Sequence, residues 1–100
     1  MDILYEEPDN GFVGLTWEPT LKKWVLHIDC KQWSKETYKR YKKIGEEVKD
    51  MLRKRGIKEV YGLSETPKEI KFNVMFGGEL LPYIVYDDKG QPNYLIRGVL

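Results

Sequence analysis

The sequence predicts a small protein of the α/β or α+β class, with one mixed sheet, two helices and the element order β-β-α-β-α-β-β. Three patterns predict it: two strand-like segments at the start, two helical patterns with a short strand between them, and two strand-like segments at the end. One hundred residues are enough for one domain. We therefore expect residues 1–100 to form a single unit. Residues 1–10, which have little periodicity and several turn-forming residues, are expected to be an irregular lead-in.

The first two strands are expected to pair as a hairpin. Residues 11–17 favour a strand, and Pro19 places a turn after them because proline cannot serve in a central strand. Residues 23–31 then alternate, so that every second side chain from Trp24 to Cys30 shares one face. Such alternation is typical of a strand that is buried on one side only.

A long helix is expected from about Lys35 to Arg55. Ser34 is a good N-cap residue, and Gly56 suits the left-handed position that follows a helix. Gly45 has no side chain in the middle of this helix, and we interpret it as a place where another element packs close to the backbone. Apolar residues recur at helical spacing on one face, at Tyr41, Ile44, Val48, Met51 and Leu52.

The second helix has a stronger start signal. Thr66 is its expected N-cap, Pro67 its first residue and Glu69 the partner in a capping box, and Gly77 is expected to end it. A closing hairpin follows, in which Pro82 favours an edge strand or a bulge. The strand before the long helix and the strand after it should be parallel neighbours joined by a right-handed crossover.

Composition narrows the function classes. Cys30 is the only cysteine, which excludes an intramolecular disulfide and a thiol-rich zinc site. No apolar run approaches the roughly 20 residues of a membrane helix, and the acidic start lacks a signal-peptide pattern. We therefore expect a cytoplasmic protein with no membrane partner and no metal. Charge is uneven, because residues 31–58 hold eleven Lys or Arg against four Asp or Glu, while the whole chain carries only +1.

One segment and the order of the elements resemble a known family. The segment IKFNVMFGGEL is similar to the last-helix motif A-x-x-F-Y-x-x-x-G-F-x of the GNAT acyltransferases, with Phe72, Gly77 and Glu79 on motif positions. The element order is similar to the C-terminal half of that family, and the resemblance covers roughly residues 11–100. It implies a GNAT-like fold.

The resemblance also implies acetyl-CoA as a cofactor. It would place the cofactor along the strand that ends at Cys30 and at the start of the long helix, against Ser34 and Lys35. In the family, a loop of the form Gln/Arg-x-x-Gly-x-Gly/Ala wraps the pyrophosphate with bare backbone amides. Here Lys35 and Thr37 stand where the glycines belong. Asn73 stands at the position of the family's general-acid tyrosine, and an amide cannot protonate a leaving thiolate as a phenol does.

We therefore interpret the chain as a GNAT-like protein without a cofactor, without catalytic residues and without acetyltransferase activity. Its compact form, without the glycines of the cofactor loop, is similar to phage-encoded variants of the family, which would place it in a host cytoplasm or in a virion. Its function would then be protein binding. Three tryptophans are more than a core of this size needs, so Trp17, Trp24 and Trp33 are expected to help form a surface for a protein partner or a second copy. A homodimer would use either these tryptophans or a free sheet edge at the first hairpin.

Two alternative functions stay open. A minimal acetyl-CoA-dependent N-acyltransferase would use the cofactor positions given above. A nucleic-acid binder would use the basic helix, residues 35–55, with Lys39 and Lys42 contacting phosphates or, in a protein complex, the partner. The near-zero net charge and the acidic residues within the helix favour an ordinary solvated helix face instead.

One strand places a histidine and a carboxylate on the same face. His27 and Asp29 are two residues apart, and such a pair can act as a base and its orienting partner. The alternative, which we favour, is a histidine with a local partner on an exposed face or partly buried. Cys30 lies on the opposite, apolar face, where an inert buried thiol is expected rather than a reactive one.

Overall fold

Six β-strands and two α-helices make up the protein in a computed structural model that describes all of residues 1–100. The strands form one mixed sheet in the order β1-β2-β3-β4-β6-β5. The predicted class, a small α+β domain with a mixed sheet and two helices, is confirmed. In chain order the elements are β1 (Asp2–Glu7), β2 (Gly11–Glu18), β3 (Lys23–Cys30), α1 (Lys35–Lys54), β4 (Glu59–Ser64), α2 (Pro67–Met75), β5 (Glu79–Tyr86) and β6 (Pro92–Val99).

The first strand is the element that the sequence reading did not predict. An irregular lead-in over residues 1–10 is wrong, because Asp2–Glu7 forms β1 and pairs antiparallel with β2. The pairing register shifts between Ile3 and Tyr5, so a bulge breaks the two-residue period by which a strand is recognised. Contacts from distant parts of the chain hold the strand, among them an ion pair from Glu7 to α1.

Both ends of α1 have the predicted caps. The Oγ of Ser34 accepts a hydrogen bond from the backbone amide of Thr37 at 3.1 Å, and Gly56 has a φ of +80°. Met51, predicted on the buried face, is 36% exposed because it lies at the margin of that face. The main core joins α1 to β2, β3 and β4 and consists of Val13, Leu15, Cys30, Tyr41, Ile44, Val48, Leu52 and Val60.

Helix α2 lies beside α1 on the same face of the sheet. The Oγ1 of Thr66 accepts from the amide of Glu69 at 3.2 Å, as predicted, but the Glu69 carboxylate accepts from the amide of Glu65 at 2.7 Å. The ring of Phe76 lies 3.4 Å from the position that a Cβ on Gly45 would take. Phe76 therefore packs beside Gly45, as the sequence predicted, at a distance that leaves room for a methyl group.

The parallel junction at the centre of the sheet is short. β3 and β4 are parallel and connected through α1, as predicted, but they pair at a single register position, Val25 with Tyr61. By contrast, β2 and β3 pair along the whole of both strands. The sheet therefore opens between β3 and β4 beyond Val25, and this opening positions the candidate site.

Candidate functional site

A cleft lies where β3 and β4 diverge. Its volume is about 430 Å³. The ends of both strands form two of its walls, and α2 forms a third. Most of the side chains that enter it are polar, among them His27, Asp29, Glu65, Glu69 and Asn73.

The backbone of β3 presents free hydrogen-bonding groups to this cleft. The amide of Lys31 donates to the carbonyl of Asn10 at 2.7 Å, and bonding alternates along an antiparallel strand pair. By that alternation, the amides and carbonyls of Ile28 and Cys30 point away from β2 and toward β4. Since β4 has already diverged at this level, these groups can hydrogen-bond an extended ligand.

On the α2 side of the cleft, Asn73 has a structural partner. Its side-chain amide donates to the Oγ of Ser64 at 2.7 Å, and Ser64 has no exposed surface. The Cβ position of Gly62 lies 3.7 Å from the same amide, so the neighbouring strand residue leaves room for it. Asn73, which the resemblance places at the general-acid position, therefore ties α2 to β4.

His27 reaches the cleft from the sheet face that carries no helix. Burial lowers the pKa of its imidazole below the ordinary value of 6.5, and the positive charge of the amino terminus lowers that pKa further. His27 and Asp29 share this face but do not form a hydrogen bond, and Asp29 does not contribute to the pKa shift of His27. The geometry that a base and its orienting carboxylate need is therefore absent, and His27 is a partly buried histidine.

The three residues expected to bind a cofactor lie between the end of β3 and the first residue of α1, and none of them lines the cleft. Cys30 is buried, and its thiol donates to the carbonyl of Gln32 at 3.4 Å. The hydroxyl of Ser34 is engaged in capping Thr37, and Lys35 is exposed in the first turn of α1. Only the ammonium group of Lys35 is free to meet a ligand there.

Trp33 spans the gap between α1 and α2 at this same end. Its ring centroid lies 5.3 Å from that of Tyr41 and 4.6 Å from that of Phe72. Phe72 in turn packs on Phe76 at 4.6 Å. An aromatic row therefore joins the start of α1 to α2.

The other two tryptophans are at the opposite end of β3. Trp17 and Trp24 oppose each other across the first hairpin, and their ring centroids are 5.1 Å apart in an edge-to-face arrangement. Trp24 is the second residue of β3 and Trp33 follows the end of that strand, so a strand of about 20 Å separates them. Trp17 and Trp33 are both exposed, but the three tryptophans do not form one surface.

The basic helix presents unpaired lysines to solvent. Lys39 and Lys42 are exposed and form no ion pair, whereas Arg40, Lys49 and Arg53 each pair with a carboxylate. The two candidate lysines therefore remain available for a partner.

Sequence reasoning missed the surface on β5. This strand is the last in the sheet, and Tyr83, Ile84 and Tyr86 are 61%, 52% and 67% exposed. No charged residue occurs from Leu80 to Tyr86. The signal was present in that uncharged run and in the edge-strand indication of Pro82. The free edge was expected instead at the first hairpin, formed by β2 and β3. In the structure β1 pairs with β2, so β1 and not the hairpin forms that edge of the sheet.

Comparison with protein-family models, with curated proteins and with solved structures finds no match to this chain. Neither helix is long and apolar enough to cross a membrane. No group of three or more His, Cys, Asp or Glu residues is arranged to hold a metal ion. The function must therefore be argued from the cleft and the surface alone.

Proposed function

We propose that this chain is a GNAT-like protein that lacks acetyl transfer and acts by binding another protein. The order of its strands supports the GNAT-like part. The parallel strands β3 and β4, which α1 connects, open into a cleft, and the last strand, β6, lies between β4 and β5. The observation that carries the protein-binding part is the exposed, uncharged edge strand β5. Sheet edges of this kind are normally protected by charge or covered.

The start of α1 supports the absence of a cofactor. A pyrophosphate at a helix start needs bare amides that approach it closely. Here Ser34 already occupies the amide of Thr37, and the indole of Trp33 packs against Phe72. The residues present do not fit the pyrophosphate of acetyl-CoA.

The α2 side of the cleft supports the absence of catalysis. A general acid must offer a proton of suitable pKa to the leaving group. Asn73 has none, and its amide is committed to Ser64. His27, the one histidine, has no hydrogen-bonded carboxylate to orient it.

The melting temperature with and without millimolar acetyl-CoA tests this proposal. A ligand that binds only the folded state raises the melting temperature by mass action, so we expect no shift. Free adenosine diphosphate, which lacks the pantetheine arm, serves as the control for binding through the nucleotide alone. A rise of several degrees with acetyl-CoA contradicts the proposal.

A minimal N-acyltransferase is the second candidate, and the open cleft favours it. The outward-facing backbone groups of Ile28 and Cys30 could bind an extended cofactor arm, and Lys35 could meet its phosphates. This candidate predicts that acetyl-CoA stabilises the protein and that Lys35→Glu abolishes the stabilisation. Lys54→Glu, at the other end of α1, is the matched charge control.

A further inference from the structure

We infer that a small carboxylic acid with an apolar body, of the size of octanoate, binds in a cavity between α1, α2 and the sheet, with its carboxylate at Lys49 and Lys42. We call this space the interhelical cavity. It is separate from the β5 edge, so binding there does not depend on the proposed function.

The interhelical cavity has a volume of about 260 Å³. The second half of α1 forms one side of it, and the end of α2 with the following Gly77 and Gly78 forms another. β4 and β6 form the floor. Four residues line both this cavity and the cleft between β3 and β4 and therefore lie between the two spaces, namely Leu26, Ile28, Gly62 and Asn73.

One residue of the floor has no structural reason to be a glycine. Gly98 lies in β6 opposite Val60 of β4, and the register of these two strands is regular. Its φ is not positive, and a Cβ on Gly98 would have Val60 as its nearest neighbour, at 3.5 Å, which is ordinary contact. A glycine within a strand often marks a bulge, a bend or the close approach of a backbone or a ligand. Because the strand has no bulge there and only its own paired strand is near, Gly98 indicates the place of a ligand.

The walls of the interhelical cavity are apolar at depth. Four branched aliphatic residues line it and are at most 7% exposed, namely Val48, Leu52, Val60 and Ile96. An apolar cavity of about 150 Å³ stays free of water and binds benzene. In proportion, the interhelical cavity holds about ten heavy atoms, which is the size of octanoate. Such a chain would give the wall residues the packing contacts that a void withholds from them.

A cation lies at the rim of this cavity. The Nζ of Lys49 is 3.3 Å from the position that a Cβ on Gly77 would take, so its side chain crosses from α1 to the end of α2. The ammonium is not needed there as a helix cap, because carbonyls in the last turn of α2 accept from the backbone amides of Phe76, Gly77 and Gly78. Its one carboxylate partner, at 3.4 Å, is Glu46, whose side chain is 68% exposed. Exposed pairs contribute little and an ammonium has three donors, so Lys49 can also bind a ligand.

Lys42 gives the rim a second cation. It lines the cavity from the same helix as Lys49, is exposed and forms no ion pair. Glu46 is the only acidic side chain among the lining residues. Two cations and one carboxylate at the mouth of an apolar cavity favour a ligand with an apolar body and one negative charge.

The melting temperature in millimolar octanoate tests the site. A ligand that binds only the folded state raises the melting temperature by mass action. We therefore expect a rise of several degrees with octanoate and none with acetate, which lacks the apolar body. 1-Octanol lacks the charge and should bind about tenfold more weakly, because a charge-assisted hydrogen bond is lost. No shift with octanoate, or an equal affinity for octanol, would overturn the inference.

Filling the floor of the cavity locates the ligand. Gly98→Ala and Gly98→Val should both fold, because the added Cβ meets only ordinary contact and valine suits a strand. We expect the affinity for octanoate, measured by titration calorimetry, to fall with each substitution and by about tenfold in Gly98→Val. Should the valine variant fail to fold, the alanine variant still measures the effect. Wild-type affinity in the folded variants would place octanoate outside this cavity and contradict the inference.

Neutralising the rim tests the carboxylate contact. Lys49→Gln and Lys42→Gln should each weaken octanoate binding by about threefold to tenfold and leave octanol binding unchanged, because only the charge of the site changes. Lys43→Gln is the matched control, because Lys43 is exposed on α1 and does not line the cavity. Equal losses in all three variants, or losses for octanol as great as those for octanoate, would show that the rim does not bind a carboxylate and would overturn the inference.

Discussion

The side-chain amide of Asn73 donates a 2.7 Å hydrogen bond to the hydroxyl of Ser64, which is fully buried at the end of β4. The contact fixes α2 against the strand that forms one wall of the cleft. Asn73 therefore has a structural role that is independent of catalysis.

Removing Asn73 should destabilise the protein more than removing Ser64. Asn73→Ala leaves a buried hydroxyl without its donor and should cost about 1–3 kcal/mol. Ser64→Ala leaves an amide that is only partly buried and that water can reach, so about 0.5–1.5 kcal/mol is expected. Urea denaturation of both variants and of the double variant measures these costs. Strict additivity in the double variant would show that the hydrogen bond contributes nothing.

At Gly45, a small side chain should stabilise the protein and a large one should destabilise it. A Cβ at this position would lie 3.4 Å from the ring of Phe76, which is ordinary contact. Gly45→Ala should therefore gain part of the roughly 1 kcal/mol by which alanine exceeds glycine in a helix. Gly45→Leu should lose stability, because a longer side chain must displace Phe76. Thermal unfolding of the two variants checks the opposite signs, and a stable leucine variant would show that α2 does not pack there.

The helices were the predictable part of the fold. Ser34 and Thr66 cap the starts of the two helices and Gly56 follows the end of α1. These roles depend on residue type and position in the chain alone, and the structure has each residue where the sequence predicted it. β1 was not predictable, because its bulge hides the alternation and its stability comes from contacts such as the ion pair of Glu7 with α1.

The candidate site was less predictable than the helices. The residues near the cleft were named from the resemblance, but the splitting of β3 from β4 is a tertiary feature that no local pattern encodes. The separation of Trp33 from the other two tryptophans depends on the length of β3 and on the turn that follows it. The edge position of β5 depends on the insertion of β6 between β4 and β5.

His27 should titrate below its ordinary range. Burial, and then the charge of the amino terminus, lowers the pKa of its imidazole in the folded state. Because the folded pKa lies below the unfolded value of about 6.5, its contribution to stability is complete above pH 6.5 and is lost as the pH falls through the folded pKa. NMR titration of the imidazole protons should give a midpoint below 6.5. His27→Gln should flatten the stability profile in that pH range, and a midpoint at or above 6.5 would show that the side chain is solvated.

Glu7 should make the protein sensitive to acid. The guanidinium of Arg40, followed by the hydroxyl of Tyr5 and with a smaller contribution from Asn10, lowers the pKa of this carboxyl from 4.5 to about 2. The Tyr5 hydroxyl donates at 2.6 Å, and a second guanidinium nitrogen of Arg40 donates at 3.1 Å. Glu7 therefore contributes stability that is complete above pH 4.5 and is lost as the pH falls through about 2.

Substituting this carboxylate should lower the melting temperature of the protein by several degrees at pH 7, because β1 loses its ionic attachment to α1. The difference between Glu7→Gln and the wild type should shrink as the pH is lowered from 4.5 toward 2, since the wild-type carboxyl becomes neutral over the same range. Glu6→Gln is the matched control, because Glu6 is exposed on the same strand and forms no ion pair. A difference that stays constant down to pH 2, or an equal loss in the control, would mean that Glu7 acts through packing rather than through its charge.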